Sequence, residues 1–261
     1  MSRMRFVARP VPDRLRDAVR ELWLLDDDGG FHAGLPKPHV ELVVSLSGVH
    51  WWRASPGAAE HRYAEGWVTP IQDGPRFARA IGRRRLIGAR LEPWAAVALF
   101  GPLPPGDGSP PPMLRDFLGS EARRLRERLR AAADDDARFA LIAGWLGERF
   151  ASVRVDSRPS GTARVGGLAA AMRVSPRALR RRFASAAGVA PKRWLRLSRL
   201  DAVLRDPALA DPRQSLARLA AEHGYADQAH LAREVARFTG ATPSVLRGRG
   251  PGLPPHLLPK S

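Results

Sequence analysis

Two short stretches carry side chains suited to reading a nucleic acid. "SPRALRRRFASAAGVAP" (175–191) places Arg177, Arg180 and Arg181 close together, and "DQAHLAREVARFTGATP" (227–243) places Gln228, Ala229, His230 and Arg233 likewise. At about 100° per residue, Leu231, Val235 and Phe238 fall on one helical face. Ala229 and Arg233 point the opposite way, with Ala232 on the flank and Gln228 at the amino-terminal end. In the first stretch Leu179 and Phe183 face inward, Arg177 and Arg181 outward, with Arg180 beside them. Arg pairs with guanine O6/N7 and Gln with adenine N6/N7, so such a face can meet base edges in the major groove. A basic helix face is more often merely solvated, and the wider chain has to decide between the two.

A second set of candidates lies earlier. His39 and Glu41 are two apart in a β-branched run, hence on one strand face, and with His50 or His61 could form a metal or acid–base site. An exposed pair without a role is the commoner outcome. Trp23, Trp51, Trp52, Trp67 and Trp94 are core residues or the wall of an apolar pocket. Arg90, in "GARLEP", reads either as a buried anion anchor or as the ion-pair partner of Glu41. Glu41, Trp51, Trp52 and Arg90 are therefore the candidate ligand-binding residues. No serine elbow, phosphate-binding Gly loop or HExxH helix is present, so neither a catalytic residue, a metal nor a cofactor is assigned.

The 261 residues contain no cysteine, which removes disulfides, thiolate catalysis and thiol-ligated zinc together. The formal charge of +17 is unevenly spread. Residues 151–261 hold 20 Lys+Arg against 7 Asp+Glu, whereas residues 1–150 hold 23 against 19. A basic carboxyl-terminal part points to a polyanion partner. Only Lys37, Lys192 and Lys260 are lysines, so base composition of the genome accounts for Arg over Lys, but not for the scarcity of acids in one half. Neither a secretory leader nor a membrane-length apolar run is evident, and a cytoplasmic protein that does not engage the membrane is expected.

The elements that would position these residues fall into two groups, giving an α+β chain. Residues 1–150 read as a mixed strand and helix domain with regulatory, effector-binding or dimerisation duties. Strands are expected at 40–48, 50–55, 65–72 and 84–93, a helix at 13–25, a loop at 100–112 and helices from 113 to 150. Residues 151–163 read as a linker, 164–250 as an all-α domain and 251–261 as a tail. Within the all-α part the two stretches repeat at a constant offset: Leu179 matches Leu231, Phe183 matches Val235, Gly188 matches Gly240 and Pro191 matches Pro243. Each follows a short apolar helix, "LAAAM" (168–172) or "LARLAAEH" (216–223). Ser175 and Asp227 suit N-caps, Pro176 the first helical position, and both glycines a left-handed carboxyl cap. Two helices joined by such a turn form a helix-turn-helix, whose second helix enters the major groove.

From about Val165 to Arg249 the chain resembles the DNA-binding module of AraC/XylS transcription regulators, on "LAAAMRVSPRALRRRFASAAGVAPKRWLRLSRLDAVLRD" and "SLARLAAEHGYADQAHLAREVARFTGATPSVLR". The resemblance implies seven helices, two helix-turn-helix units joined by a linking helix, and recognition helices about one DNA turn (~34 Å) apart. Carried over residue by residue, it makes Arg177, Arg180 and Arg181 the base readers of the first unit and Gln228, Ala229, His230 and Arg233 those of the second. Ala229 stands where a small polar residue is frequent, Arg173 where many members have Gly, and Val235 where Phe is more usual. The linking helix would be 191–206, with Lys192, Arg193 and Arg196, and the cap Ser175, as phosphate candidates. Residues 1–150 are similar to an uncharacterised domain that precedes this module in bacterial regulators, on "ELW", "VELVVSLSG", "LIGARLEPWAAVALFG" and "LRDFLGSEARRLRERL".

The implied function is a sequence-specific, effector-responsive transcription regulator with double-stranded DNA as partner. A small-molecule effector, RNA polymerase and a second copy of the chain are the further partners it could take. The rival is an architectural nucleic-acid binder without sequence preference, recognised by equal binding to all sequences. An enzyme with a DNA-tethering tail lacks support, and its alkyl-transfer version is excluded because it needs a nucleophilic Cys.

Overall fold

The computed structural model describes residues 4–55, 57–105, 109–152 and 164–247. The expected linker, apart from its first two residues, and the expected tail lie outside them. The described strands are β1 (Met4–Arg9), β2 (Val19–Asp27), β3 (Gly30–Gly34), β4 (Val40–Arg53), β5 (His61–Tyr63), β6 (Gly66–Thr69) and β7 (Arg76–Leu91). They form one antiparallel sheet in the order β1-β2-β7-β4-β5, with β3 added to β7 and β6 to β4. Helices follow: α1 (Pro93–Phe100), α2 (Leu114–Leu118), α3 (Ser120–Ala131) and α4 (Asp135–Ala151). Seven more are described beyond residue 163: α5 (Val165–Ala171), α6 (Pro176–Ala187), α7 (Pro191–Arg205), α8 (Pro207–Ala210), α9 (Leu216–Glu222), α10 (Gln228–Thr239) and α11 (Pro243–Arg247). The architecture is the expected α+β, with the sheet first and the helical region after it.

The sheet is organised by its longest pair. β4 and β7 run together from Val40↔Leu91 to Arg53↔Phe77, with irregularities around Ser47. The strands expected at 40–48 and 50–55 are thus one strand that passes through an irregularity rather than a turn. Alternation sends Leu22, Leu24, Leu42, Val44, Ile87 and Ala89 to the large core, and Trp23, Leu25, Val43 and Leu86 to a second cluster on the other face. Gly88 leaves room for the Trp23 ring of the neighbouring strand: a Cβ there would lie 2.4 Å from the Leu42 carbonyl oxygen and 2.6 Å from that ring.

The helix expected at 13–25 is not formed. Asp13–Leu15 makes a single 3₁₀ turn and Val19–Asp27 is β2. Leu15, Val19 and Leu22 do face the core, but Trp23, Leu24 and Leu25 are buried as well. A run buried on both sides fits a central strand and carries no helical stripe, so burial on both faces overrode the spacing.

In the helical region the caps fall where their residue types place them. The Ser175 hydroxyl accepts from Ala178 N, the Asp227 carboxylate accepts from His230 N, and Gly188 and Gly240 close α6 and α10 in the left-handed conformation. The turns before α6 and α10 share a pattern: Val174 N donates to the Ala169 carbonyl as Tyr225 N does to that of Ala220. That pairing aligns Arg173 with Gly224, so the second turn is one residue longer before its cap. Gly224 has φ +69° and Arg173 φ +51°. A Cβ is disfavoured there by ~1–2 kcal/mol, and no other described non-glycine residue has positive φ. Arg173→Gly is expected to stabilise the chain by roughly 0.5–1 kcal/mol, the strain relieved being partly offset by glycine's unfolded-state entropy. Urea unfolding of parent and variant measures this, and Gly224→Ala should shift the midpoint the opposite way.

Candidate functional site

Two places gather the candidate residues, one on the helical region and one inside the sheet. On α6, Leu179 and Phe183 are buried while Arg177, Arg180 and Arg181 are exposed. On α10, Leu231, Val235 and Phe238 are fully buried, and Gln228, Ala229 and Arg233 are exposed. Each helix is amphipathic in the sense the spacing predicts, and each follows a tight turn. His230 differs from the rest. It is partly buried, its Nδ1 accepts from Ala226 N at 3.3 Å, and its ring stands edge-on to Tyr225 at 5.3 Å.

The phosphate candidates divide. Ser175 and Lys192 are exposed. Arg193 and Arg196 are instead engaged within the chain. Arg193 Nε lies 2.7 Å from Asp73 Oδ2, and Arg196 donates to Glu234 Oε2 at 2.8 Å. Both guanidiniums lie 5.3 Å from the Phe238 ring centroid, so they hold α7 against α10 and the sheet. In this arrangement neither is presented as a free phosphate contact. Their acids are distant in sequence and no local spacing announces them.

The second place is a cavity of about 150 Å³ in the curl of the sheet. Trp23, Trp51, Trp52, Trp67 and Tyr63 line it, with Lys37, Glu41, Thr69, Gln72 and Arg90 among its polar walls. All four ligand candidates, Glu41, Trp51, Trp52 and Arg90, thus border one space. Trp94 does not: it packs edge-on to Trp194 at 5.9 Å, where the sheet region meets α7. The metal or acid–base group considered for His39 and Glu41 is not assembled. Glu41 pairs with Lys37 and with Arg90 Nε at 3.0 Å, whereas His39 Nε2 stands 3.5 Å from Asp201 Oδ2 on α7. Sequence reasoning missed Lys37, Thr69 and Gln72. For Lys37 a signal existed, since it is the one lysine in the first 150 residues of an arginine-rich chain.

Electrostatics follow from burial. Arg90 is 3% exposed and lies between Glu41 and Glu21. Desolvation, with the Arg205 charge nearby, pulls its guanidinium down to about 9, still protonated at neutral pH. Its two carboxylates offset that cost, so Arg90→Met should lower stability by roughly 3–5 kcal/mol by stranding them. Chemical denaturation checks this against Arg83→Met, whose pair with Asp26 is solvent-exposed on the arginine side and whose loss should matter far less. His50 is buried beside Arg84, and desolvation first, then that charge, lowers it from 6.5 to about 4. Its Nε2 lies 2.8 Å from Ser45 Oγ. The unfolded chain therefore binds a proton that the folded chain refuses, and stability should fall as pH drops from 6.5 towards 4. His50→Gln should flatten that part of a melting-temperature profile.

Among the described residues, no helix is long and apolar enough to cross a membrane. No curated protein significantly matches the chain. Among solved structures, ToxT from Vibrio cholerae is similar at 8% identity and TM-score 0.43, covering 94% of this chain and 96% of that one. ToxT of strain SCE256 with an unsaturated fatty acid bound gives 9% identity and TM-score 0.42, covering 93% of each. The transcriptional regulator CdpR from Pseudomonas aeruginosa gives 20% identity and TM-score 0.30, over 65% of this chain and 47% of that one. A family model described as a helix-turn-helix domain matches residues 168–249, which span the two capped helices and the helix between them. Residues 168–249 are thus an AraC-type helix-turn-helix domain, the DNA-binding part of a transcription regulator.

Proposed function

We propose that the chain is a sequence-specific DNA-binding regulator that reads two successive major-groove segments, α6 in one and α10 in the next, in response to a small molecule held in the amino-terminal cavity. The observation that carries this reading is the duplicated, exposed face opposite a fully buried one: Arg177, Arg180 and Arg181 on α6, Gln228, Ala229 and Arg233 on α10. Arginine and glutamine there suit base edges, and Ala229 suits a thymine methyl. His230, held by its own turn, contributes to the edge of that surface. Ser175 and Lys192 serve the phosphates, while Arg193 and Arg196 would join them only after leaving Asp73 and Glu234. Residues 1–150 supply regulation, residues 164–250 the DNA contact.

Selection of bound sites from random duplexes by the full-length protein tests this. Two short blocks about one helical turn apart are expected. Enrichment of no motif would instead indicate an architectural binder. On the selected site, Arg233→Ala should cost about 1–3 kcal/mol and relax preference at one base position. Lys192→Ala should weaken selected and scrambled duplexes by a similar factor and reduce the salt slope by about one unit. Titrations at two salt concentrations separate the two. Equal loss on both duplexes for Arg233→Ala would make the α10 face electrostatic only.

A further inference from the structure

Helix α7 rests on the back of the cavity wall. Trp194 Nε1 donates to the Pro38 carbonyl at 2.9 Å, and Pro38 follows the cavity-lining Lys37. Arg193 pairs with Asp73, which follows the cavity-lining Gln72. Lys37 N in turn donates to the Gln72 carbonyl at 3.2 Å, so the two wall segments are joined. Arg205 Nη1 donates to Glu21 Oε2 at 2.9 Å, and the other partner of Glu21 is the cavity-lining Arg90. Three anchors of one helix are therefore each one residue or one ion pair removed from the space inside the sheet.

The charged groups among them close on themselves. Lys37 pairs with Glu41, Glu41 with Arg90, Arg90 with Glu21, Glu21 with Arg205 and Arg205 with Asp201. Asp201 then stands 3.5 Å from His39, two residues from where the path began. No side chain on this path is more than 21% exposed. In such a medium ion pairs are strongly coupled, and removing or redirecting one partner obliges its neighbours to find another. The same helix also contacts both recognition helices. Trp194 meets Phe183 of α6 at 5.4 Å, and Arg196 pairs with Glu234 of α10.

We propose that α7 reads the state of the cavity through this ring: a molecule that engages Lys37, Glu41 or Arg90 alters the ring, reseats α7 and thereby changes the placement of α6 and α10. The inference rests on the cavity being the effector site. Its test uses neither DNA nor ligand, so it fails or succeeds separately from the DNA reading.

The chain lacks cysteine, so cysteines placed at the exposed positions Arg128 on α3 and Ala236 on α10 can carry spin labels in the full-length protein. Pulsed dipolar measurements then give the distance between the sheet region and the second unit. The doubly labelled parent should give one narrow distribution. Glu41→Gln, at the cavity end of the ring, and Glu21→Gln, at its middle, should both shift or broaden it beyond the parent's width. Tyr63→Phe, which also lines the cavity but bonds to the Pro111 carbonyl away from α7, should leave it unchanged. Cooperative melting of each variant confirms that folded protein is compared. If Glu41→Gln fails to fold, Lys37→Gln replaces it with the same expectation. A parent-like distribution for the folded cavity-end variant overturns the proposal, even if Glu21→Gln moves it. So does an equal shift in Tyr63→Phe, which would signal general loosening.

Discussion

Arg90 is a charge on a strand buried on both faces. The strand cannot release it to water, because the side chain is only 3% exposed. Two carboxylates must therefore come to it: Glu41 from β4 and Glu21 from β2, the register partners of Arg90 on those strands. Glu21 is then shared with Arg205, which brings in α7. Much of the arrangement of sheet, cavity and linking helix follows from neutralising one guanidinium in a low-dielectric setting. Such a group contributes little net stability against an apolar replacement of the whole cluster, yet it is costly to break one partner at a time. It fixes which surfaces meet more than it strengthens their meeting.

Around that polar centre the apolar packing is continuous. Leu22 and Ile87 of the sheet, Ile142 of α4 and Leu179, Leu197 and Leu231 of the helical region belong to one buried cluster. Trp194 sits at the junction, against Trp94 on one side and Phe183 on the other. Its indole N–H would be an unsatisfied buried donor without the Pro38 carbonyl, so its hydrogen bond specifies the orientation of α7 on the sheet. The helical region is thereby held by the tryptophan and charge pairs of α7 and by the packing of α6 on α1, while the candidate residues Arg177, Arg180, Arg181, Gln228, Ala229 and Arg233 remain exposed.

The two helix-turn-helix units show how much a repeated local pattern can settle. Caps, apolar spacing and closing glycines were all readable at α6 and α10 because each depends on residues within a turn or two of one another. The exposed arginines were readable for the same reason: once Leu179, Phe183, Leu231 and Phe238 point inward, the opposite face is determined by helical geometry alone. The strain at Arg173 was signalled by the family resemblance, in which many members have glycine at that position.

Local reasoning stopped where partners lie far apart in sequence. The stretch 13–25 has helix spacing, and only the placement of β1 and β7 on either side of it made it a strand. Arg193 and Arg196 read as phosphate candidates because Asp73 and Glu234 are 120 and 38 residues away. Glu41, Trp51, Trp52 and Arg90 were named as ligand candidates from residue type, whereas the register of β4 and β7 is what gathers them around one cavity. His39 and Glu41 were assigned one face by parity, yet β4 begins only at Val40, and the two turn to different partners. The sequence by itself determined the two capped, amphipathic helices α6 and α10, since capping and amphipathic spacing act over a few residues. The tertiary structure alone decided the cavity, the fate of the linking-helix arginines and the ring joining them, because buried charges are neutralised by whatever the fold brings near and not by what the chain places beside them.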